Sequence, residues 1–114
     1  MRAALRRQKA NQIHEPIEYY LGWTGYRHPI VLEHKLTKAE AEALHAAGTV
    51  YLIAHYDPTG KKILRIVKMM RGAVFFEFVY AYYPNGRLQS AKVTNSAGQV
   101  TVMAYDERGR RLQP

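Results

Sequence analysis

From residue 49 onward, glycines recur at positions 60, 72, 86, 98 and 109, with spacings of 12, 14, 12 and 11. Four of them close a common plan: Asp57-Pro58-Thr59-Gly60, Tyr83-Pro84-Asn85-Gly86, Asn95-Ser96-Ala97-Gly98 and Asp106-Glu107-Arg108-Gly109. Asp or Asn at the first position can bond its own turn backbone, and a glycine in the left-handed region closes a three-residue hairpin loop. Met69-Met70-Arg71-Gly72 keeps only the glycine. Five successive hairpins require six strands, expected at about Thr49–Tyr56, Lys61–Met69, Ala73–Tyr83, Arg87–Thr94, Gln99–Tyr105 and Arg110–Gln113. With no long connection among them they form an antiparallel meander.

The central strand is expected at Val74 to Tyr83. Val74, Phe76, Phe78, Tyr80 and Tyr82 fall on one face of it by simple alternation. Glu77 interrupts the other face, where a lone carboxylate needs a partner. A cross-strand ion pair on a wet face is the expected answer, with Lys68 lying diagonally across if the turn at 71–72 is tight. Arg87 to Thr94 is more polar, so that part of the sheet meets water on one face.

One helix is expected, from Thr37 to Ala47. Thr37 and Glu40 have the spacing of a capping box, the run is rich in alanine, and Gly48 stands where a left-handed cap ends a helix. A helix this short must pack on something, and the apolar face of the sheet is the expected place. The fold class is therefore α+β: a meander of about six strands with one short helix. One or two more strands are expected from the N-terminal segment, at Ile17 to Leu21 and Ile30 to Glu33.

The 114 residues fit one domain, read as residues 15–114 behind a basic arm at 1–14 that is expected to be disordered. The arm holds Arg2, Arg6, Arg7 and Lys9 and lacks the apolar stretch of a secretory signal. No apolar run is long enough for a membrane span. Cysteine is absent, which excludes disulfides and thiolate metal sites and suits a cytoplasmic home. The formal charge of +8 favours acidic partners.

Little in the chain points to catalysis. The histidines at 14, 28, 34, 45 and 55 show no tight ligand spacing, and they are expected to be scattered on the surface. No phosphate loop follows a strand and no serine sits in a nucleophile elbow. Asp57 and Asp106 are explained by their turns. No cofactor and no metal are expected.

Basic residues interleaved with tyrosines on the sheet supply the candidate site: Lys62, Arg65, Lys68, Arg71, Tyr80, Tyr82, Arg87 and Lys92. By alternation Lys62 and Lys68 share one face and Arg65 the other. Such a surface suits a non-enzymatic binding module, an inhibitor or adaptor, that engages an acidic protein partner. A nucleic-acid-binding domain is the alternative, and a small hydrolase or metal-dependent enzyme is the weakest reading. A homodimer is expected because the outer strand of a meander offers unpaired backbone groups.

Two resemblances accompany these patterns. Tyr105-Asp106-Glu107-Arg108-Gly109-Arg110-Arg111-Leu112, and less closely Tyr83-Pro84-Asn85-Gly86-Arg87-Leu88, resemble the YD-type repeats of large bacterial shell proteins. A longer stretch, from about Tyr19 to Val93, resembles a small bacterial family of uncharacterised single-domain proteins. It is carried by Tyr20-Leu21-Gly22-Trp23-Thr24-Gly25, Pro29, Asp57, Gly60, Lys68, Gly72, Tyr80, Tyr82, Gly86, Leu88 and Ala91. The second resemblance implies a fold and no activity.

Overall fold

The computed structural model describes residues 16–25 and 27–112. It contains strands β1 (Ile17–Thr24) and β2 (Val31–Leu36), helix α1 (Lys38–Ala46), and strands β3 (Tyr51–Tyr56), β4 (Ile63–Met70), β5 (Ala73–Tyr82), β6 (Leu88–Thr94) and β7 (Val100–Ala104). The strands form one antiparallel sheet in the order β2-β1-β3-β4-β5-β6-β7. Five of the six expected meander strands are present, and the N-terminal segment adds two. The sixth, expected at Arg110–Gln113, reduces to one bridge between Tyr105 and Arg111. Its Gln113 and the expected basic arm at 1–14 lie outside the described residues. Among the described residues no helix is long and apolar enough to cross a membrane.

The turns follow from their residues. In all four of the common plan the glycine N–H donates to the carbonyl three residues before it, at 2.8 to 3.0 Å. Asp57, Asn95 and Asp106 accept backbone N–H groups on Oδ1. Tyr83 cannot do so, and Asn85 replaces it by accepting from the Arg87 N–H at 2.9 Å. The fifth turn differs from the three-residue plan. Met70 pairs with Ala73, so only Arg71 and Gly72 connect the strands. Their φ values of 55° and 74° are both positive, as a two-residue turn matched to strand twist requires.

Helix α1 forms as its caps predict. Glu40 N–H donates to Thr37 Oγ1 at 3.1 Å, and Thr37 N–H donates to Glu40 Oε1 at 2.9 Å. Past the other end, Gly48 N–H donates to the His45 carbonyl and Thr49 N–H to that of Leu44, which satisfies two carbonyls left over by the last turn.

Register divides the sheet side chains between two faces. Tyr20, Leu52, Ala54, Ile66, Phe76, Phe78, Tyr80 and Ala91 share the aromatic face. A bulge near Phe75 breaks the alternation, so Val74 is exposed instead of joining them. The cover of this face corrects the sequence reading. β1 pairs with β3 only as far as Tyr20. The β1–β2 hairpin continues past that point, and its distal half folds across the aromatic face as a flap. Trp23 meets Phe76 edge-on at 5.7 Å and His28 meets Phe78 edge-on at 5.0 Å. Ile30 is buried among Leu52, Ile66, Phe78, Tyr80 and Ala91, with Leu32 packed beside them.

Helix α1 instead lies on the opposite face, at the β1–β3 end. Ala41 is its one buried residue, and His45 stands on Tyr51, with Nδ1 2.9 Å from the phenol oxygen. The reason is occupancy: the apolar face is already filled by Trp23, His28, Ile30 and Leu32, and a nine-residue helix cannot span seven strands.

Candidate functional site

In an antiparallel meander, alternate hairpins share an end of the sheet. The turns after β3, β5 and β7 stand together at one end, and those after β4 and β6 at the other. At the first end each glycine is followed at once by cations: Gly60 by Lys61 and Lys62, Gly86 by Arg87, Gly109 by Arg110 and Arg111. At the other end the followers are Ala73 and Gln99. The tip of the flap brings Arg27 to the cationic end.

There the side chains wall a trough. A cleft of about 690 Å³ runs between the flap and the sheet, with Arg27, Arg87 and Arg111 around it, His28 and Tyr105 beside them, and Pro29, Leu88 and Met103 as apolar surface. Pro29 and Leu88 also line an adjoining, smaller hollow of about 300 Å³, with Lys61, Lys62 and Tyr82. No carboxylate of the described residues lines either part.

Of the acids in these turns, Glu107 lines a separate hollow with Arg108 and Arg110, and Asp57 and Asp106 are engaged within their own loops. Asp57 accepts from the Thr59 hydroxyl at 2.7 Å, and that bond leads the effects holding its carboxyl below the usual range. Asp106 accepts from the backbone of Arg108 and Arg110 and from the Arg110 side chain. Its carboxyl is also lowered, first by the Arg110 backbone N–H. Arg110 is thereby neutralised within its turn, whereas Arg27 and Arg111 have no ion-pair partner among the described residues.

Two cations are fixed by backbone carbonyls. Lys62 Nζ donates to the Gly86 carbonyl at 3.0 Å and lies 5.0 Å from the Tyr82 ring centroid. Arg87 Nη1 donates to the Arg108 carbonyl at 2.6 Å. A Cβ at Gly109 would start 3.0 Å from that Nη1, and the φ of 89° there disfavours any side chain. The left-handed backbone is what favours glycine at this position.

Of the eight residues expected on the binding face, the trough brings together Lys62, Tyr82 and Arg87. Tyr82 is half-buried, donates to the Ile63 carbonyl at 2.6 Å, and has its phenol pushed up to about 12 by burial. Tyr80 belongs to the core: it is 3% exposed, with its hydroxyl 2.7 Å from His28 Nδ1 and burial raising its pKa. Lys68 lies towards the other end of the sheet, 5.1 to 5.5 Å from the centroids of Trp23, Phe75 and Phe76. Arg71 is exposed in its turn.

Arg65 and Lys92 occupy the face opposite the aromatic one, where each sits across from Val79. Arg65 pairs with Glu77. The expected cross-strand ion pair is therefore present, with Arg65 in place of Lys68. His28, expected at the surface, is packed under the flap, where burial lowers its pKa and favours the neutral ring.

Arg27, Lys61 and Arg111 were outside the expected set. The signal for Lys61 and Arg111 is legible in hindsight: a cation follows every glycine at one end of the meander. Nothing local marks Arg27, because only the path of the flap delivers it. Among the described residues no group of three His, Asp or Glu is arranged to hold a metal ion.

A family model described as a family of unknown function (DUF6156) matches residues 12–114. No curated protein matches the chain, and no solved structure does.

Proposed function

The chain belongs to the DUF6156 family of unknown function, and we propose that it is a non-enzymatic binding module whose trough holds an acidic segment of a protein partner. One observation carries this reading. Three separate turns and the flap each place cations around two adjoining hollows that share Pro29 and Leu88, and no carboxylate of the described residues lines either. Gathering like charges without counter-charges is unfavourable in the free protein and favours an anionic partner. Leu88, Met103 and Pro29 offer apolar surface for the aliphatic parts of such a segment.

Single-stranded nucleic acid is the competing partner, and the aromatic rings argue against it. Base stacking needs open ring faces. Phe78 and Tyr80 are buried, and Lys62 already lies over Tyr82.

Fluorescence anisotropy with a labelled Glu/Asp-rich peptide and a random single-stranded oligonucleotide, each at two salt concentrations, tests the proposal. The peptide is expected to bind. The double reversal Lys61→Glu with Lys62→Glu is expected to weaken it at least ~10-fold, about 1.4 kcal/mol. Tighter binding of the oligonucleotide, with a salt slope of about 0.7 per neutralised phosphate, would replace this reading with the nucleic-acid one. Binding of neither removes both.

A further inference from the structure

The two halves of the trough differ in the kind of cation they present. The smaller half has Lys61 and Lys62, and the larger half has Arg27, Arg87 and Arg111. Lysine presents a compact point charge without a fixed plane of donors. Arginine offers a rigid planar fork of donors that matches the oxygens of a carboxylate or phosphate. We propose that the arginine half is the seat of a phosphate monoester dianion, carried on a phosphorylated side chain of the acidic partner. This rests on the reading above and names the group that the larger half selects.

Charge decides between the two anions that guanidinium forks accept. Three arginines with no facing carboxylate present a charge of about +3. A carboxylate returns one negative charge and two acceptor oxygens. A phosphate monoester returns about −1.5 to −2 at neutral pH, with three strong acceptor oxygens.

One of the three guanidinium groups is held in place before the ligand arrives. Arg87 is held by the Arg108 carbonyl at 2.6 Å. The backbone bridge of Arg111 to Tyr105 sets its main chain at the edge of the cleft. His28, neutral and bonded to Tyr80, completes that side of the cleft without adding a fourth cation. A volume of about 690 Å³ exceeds what one phosphate fills and leaves room for the side chain that carries it, against Leu88 and Met103.

The test uses the full chain and one acidic peptide made in three forms, with Ser, Glu or phosphoserine at a central position. Anisotropy is expected to show the phosphoserine form binding at least ~10-fold more tightly than the Glu form. Arg111→Gln and Arg27→Gln, both at exposed positions, are each expected to weaken the phosphoserine form by a larger factor than the Glu form, so that most of the gain of phosphoserine over Glu is lost. Inorganic phosphate at millimolar concentration is expected to compete with the phosphopeptide and much less with the Glu form. A phosphorus NMR shift on adding protein, lost in Arg111→Gln, would report the same seat directly.

If Glu and phosphoserine peptides bind equally, the phosphate seat is wrong and the acidic-segment reading stands. If no form binds, both fall. If inorganic phosphate alone saturates the site and the phosphopeptide is no tighter than phosphate, the partner assignment is overturned in favour of a free-phosphate site. A 5′-phosphorylated oligonucleotide that outcompetes the phosphopeptide would overturn it in favour of nucleic acid.

Discussion

The two faces of the sheet are closed by different means. The aromatic face is covered by a strand pair that bends over it, and its residues Leu52, Ile66 and Ala91 are wholly buried. The opposite face is covered at one end by a nine-residue helix that buries one alanine, and it leaves Val79, Val100 and Val102 exposed. Coverage therefore follows chain path more than element type. A flap continuous with the sheet lays Trp23, His28, Ile30 and Leu32 along the apolar surface, where a short helix reaches only its own neighbourhood.

The sharpest way to break this contrast is to truncate one residue on each side of it. Ile30→Ala in the flap is expected to lose about 2–4 kcal/mol on urea unfolding, the range of a buried aliphatic residue. Val102→Thr on the opposite face is expected to stay within about 0.5 kcal/mol, as surface changes do. Equal losses would mean that the flap is not part of the core.

A smaller effect is expected from pH. Burial lowers the His28 pKa below its ordinary 6.5. Once the pH falls below about 6.5, the unfolded chain binds more protons at this position than the folded one. The contribution of His28 is then fully present above that pH and is lost as the pH falls through the folded value. Thermal unfolding between about pH 5 and pH 7.5 is expected to show Tm falling on the acid side, with a shallower fall in His28→Gln. Identical slopes would mean that the imidazole is as solvated under the flap as in the open chain.

The least effect is expected at the ion pair of the open face. Arg65 and Glu77 are 45% and 26% exposed, and pairs of this kind contribute at most about 1 kcal/mol. Glu77→Gln is expected to cost no more than that, with the difference shrinking in high salt. A larger, salt-independent loss would show that the open face is drier than its valines suggest.

What the sequence made legible was local. Asp57, Asn95 and Asp106 with their glycines specify turns through bonds spanning at most five residues, and Thr37 with Glu40 specifies a helix start through bonds spanning three. These held because their energetics close within the segment. The flap was not legible in this way. Ile17 to Leu21 and Ile30 to Glu33 read as strands, but nothing in them says that they part from β3 after Tyr20. That departure is set by contacts such as His28 with Tyr80, 52 positions apart.

The candidate site divides along the same line. Alternation separated Arg65 from Lys68 correctly, because both lie on β4; Lys62 precedes that strand, beyond a bulge that breaks the alternation. Alternation could not say that Lys68 would be taken up by Trp23, which arrives from the flap, or that Tyr80 would be sealed beneath it.

The bent hairpin has one more consequence. It carries Arg27 at its tip and Ile30 in its underside, so one piece of chain supplies both a wall of the trough and part of the lid on the core. Any opening that lifts the tip separates Arg27 from Arg87 and Arg111 and admits water to Phe78 and Tyr80 in the same motion. A ligand held by Arg27 together with Arg87 and Arg111 would favour the closed form. By linkage, such a ligand raises the free energy of that opening by up to RT ln(1 + L/Kd), where L is the free ligand concentration. Occupancy of the trough and protection of the core from solvent exchange are then two readings of a single equilibrium.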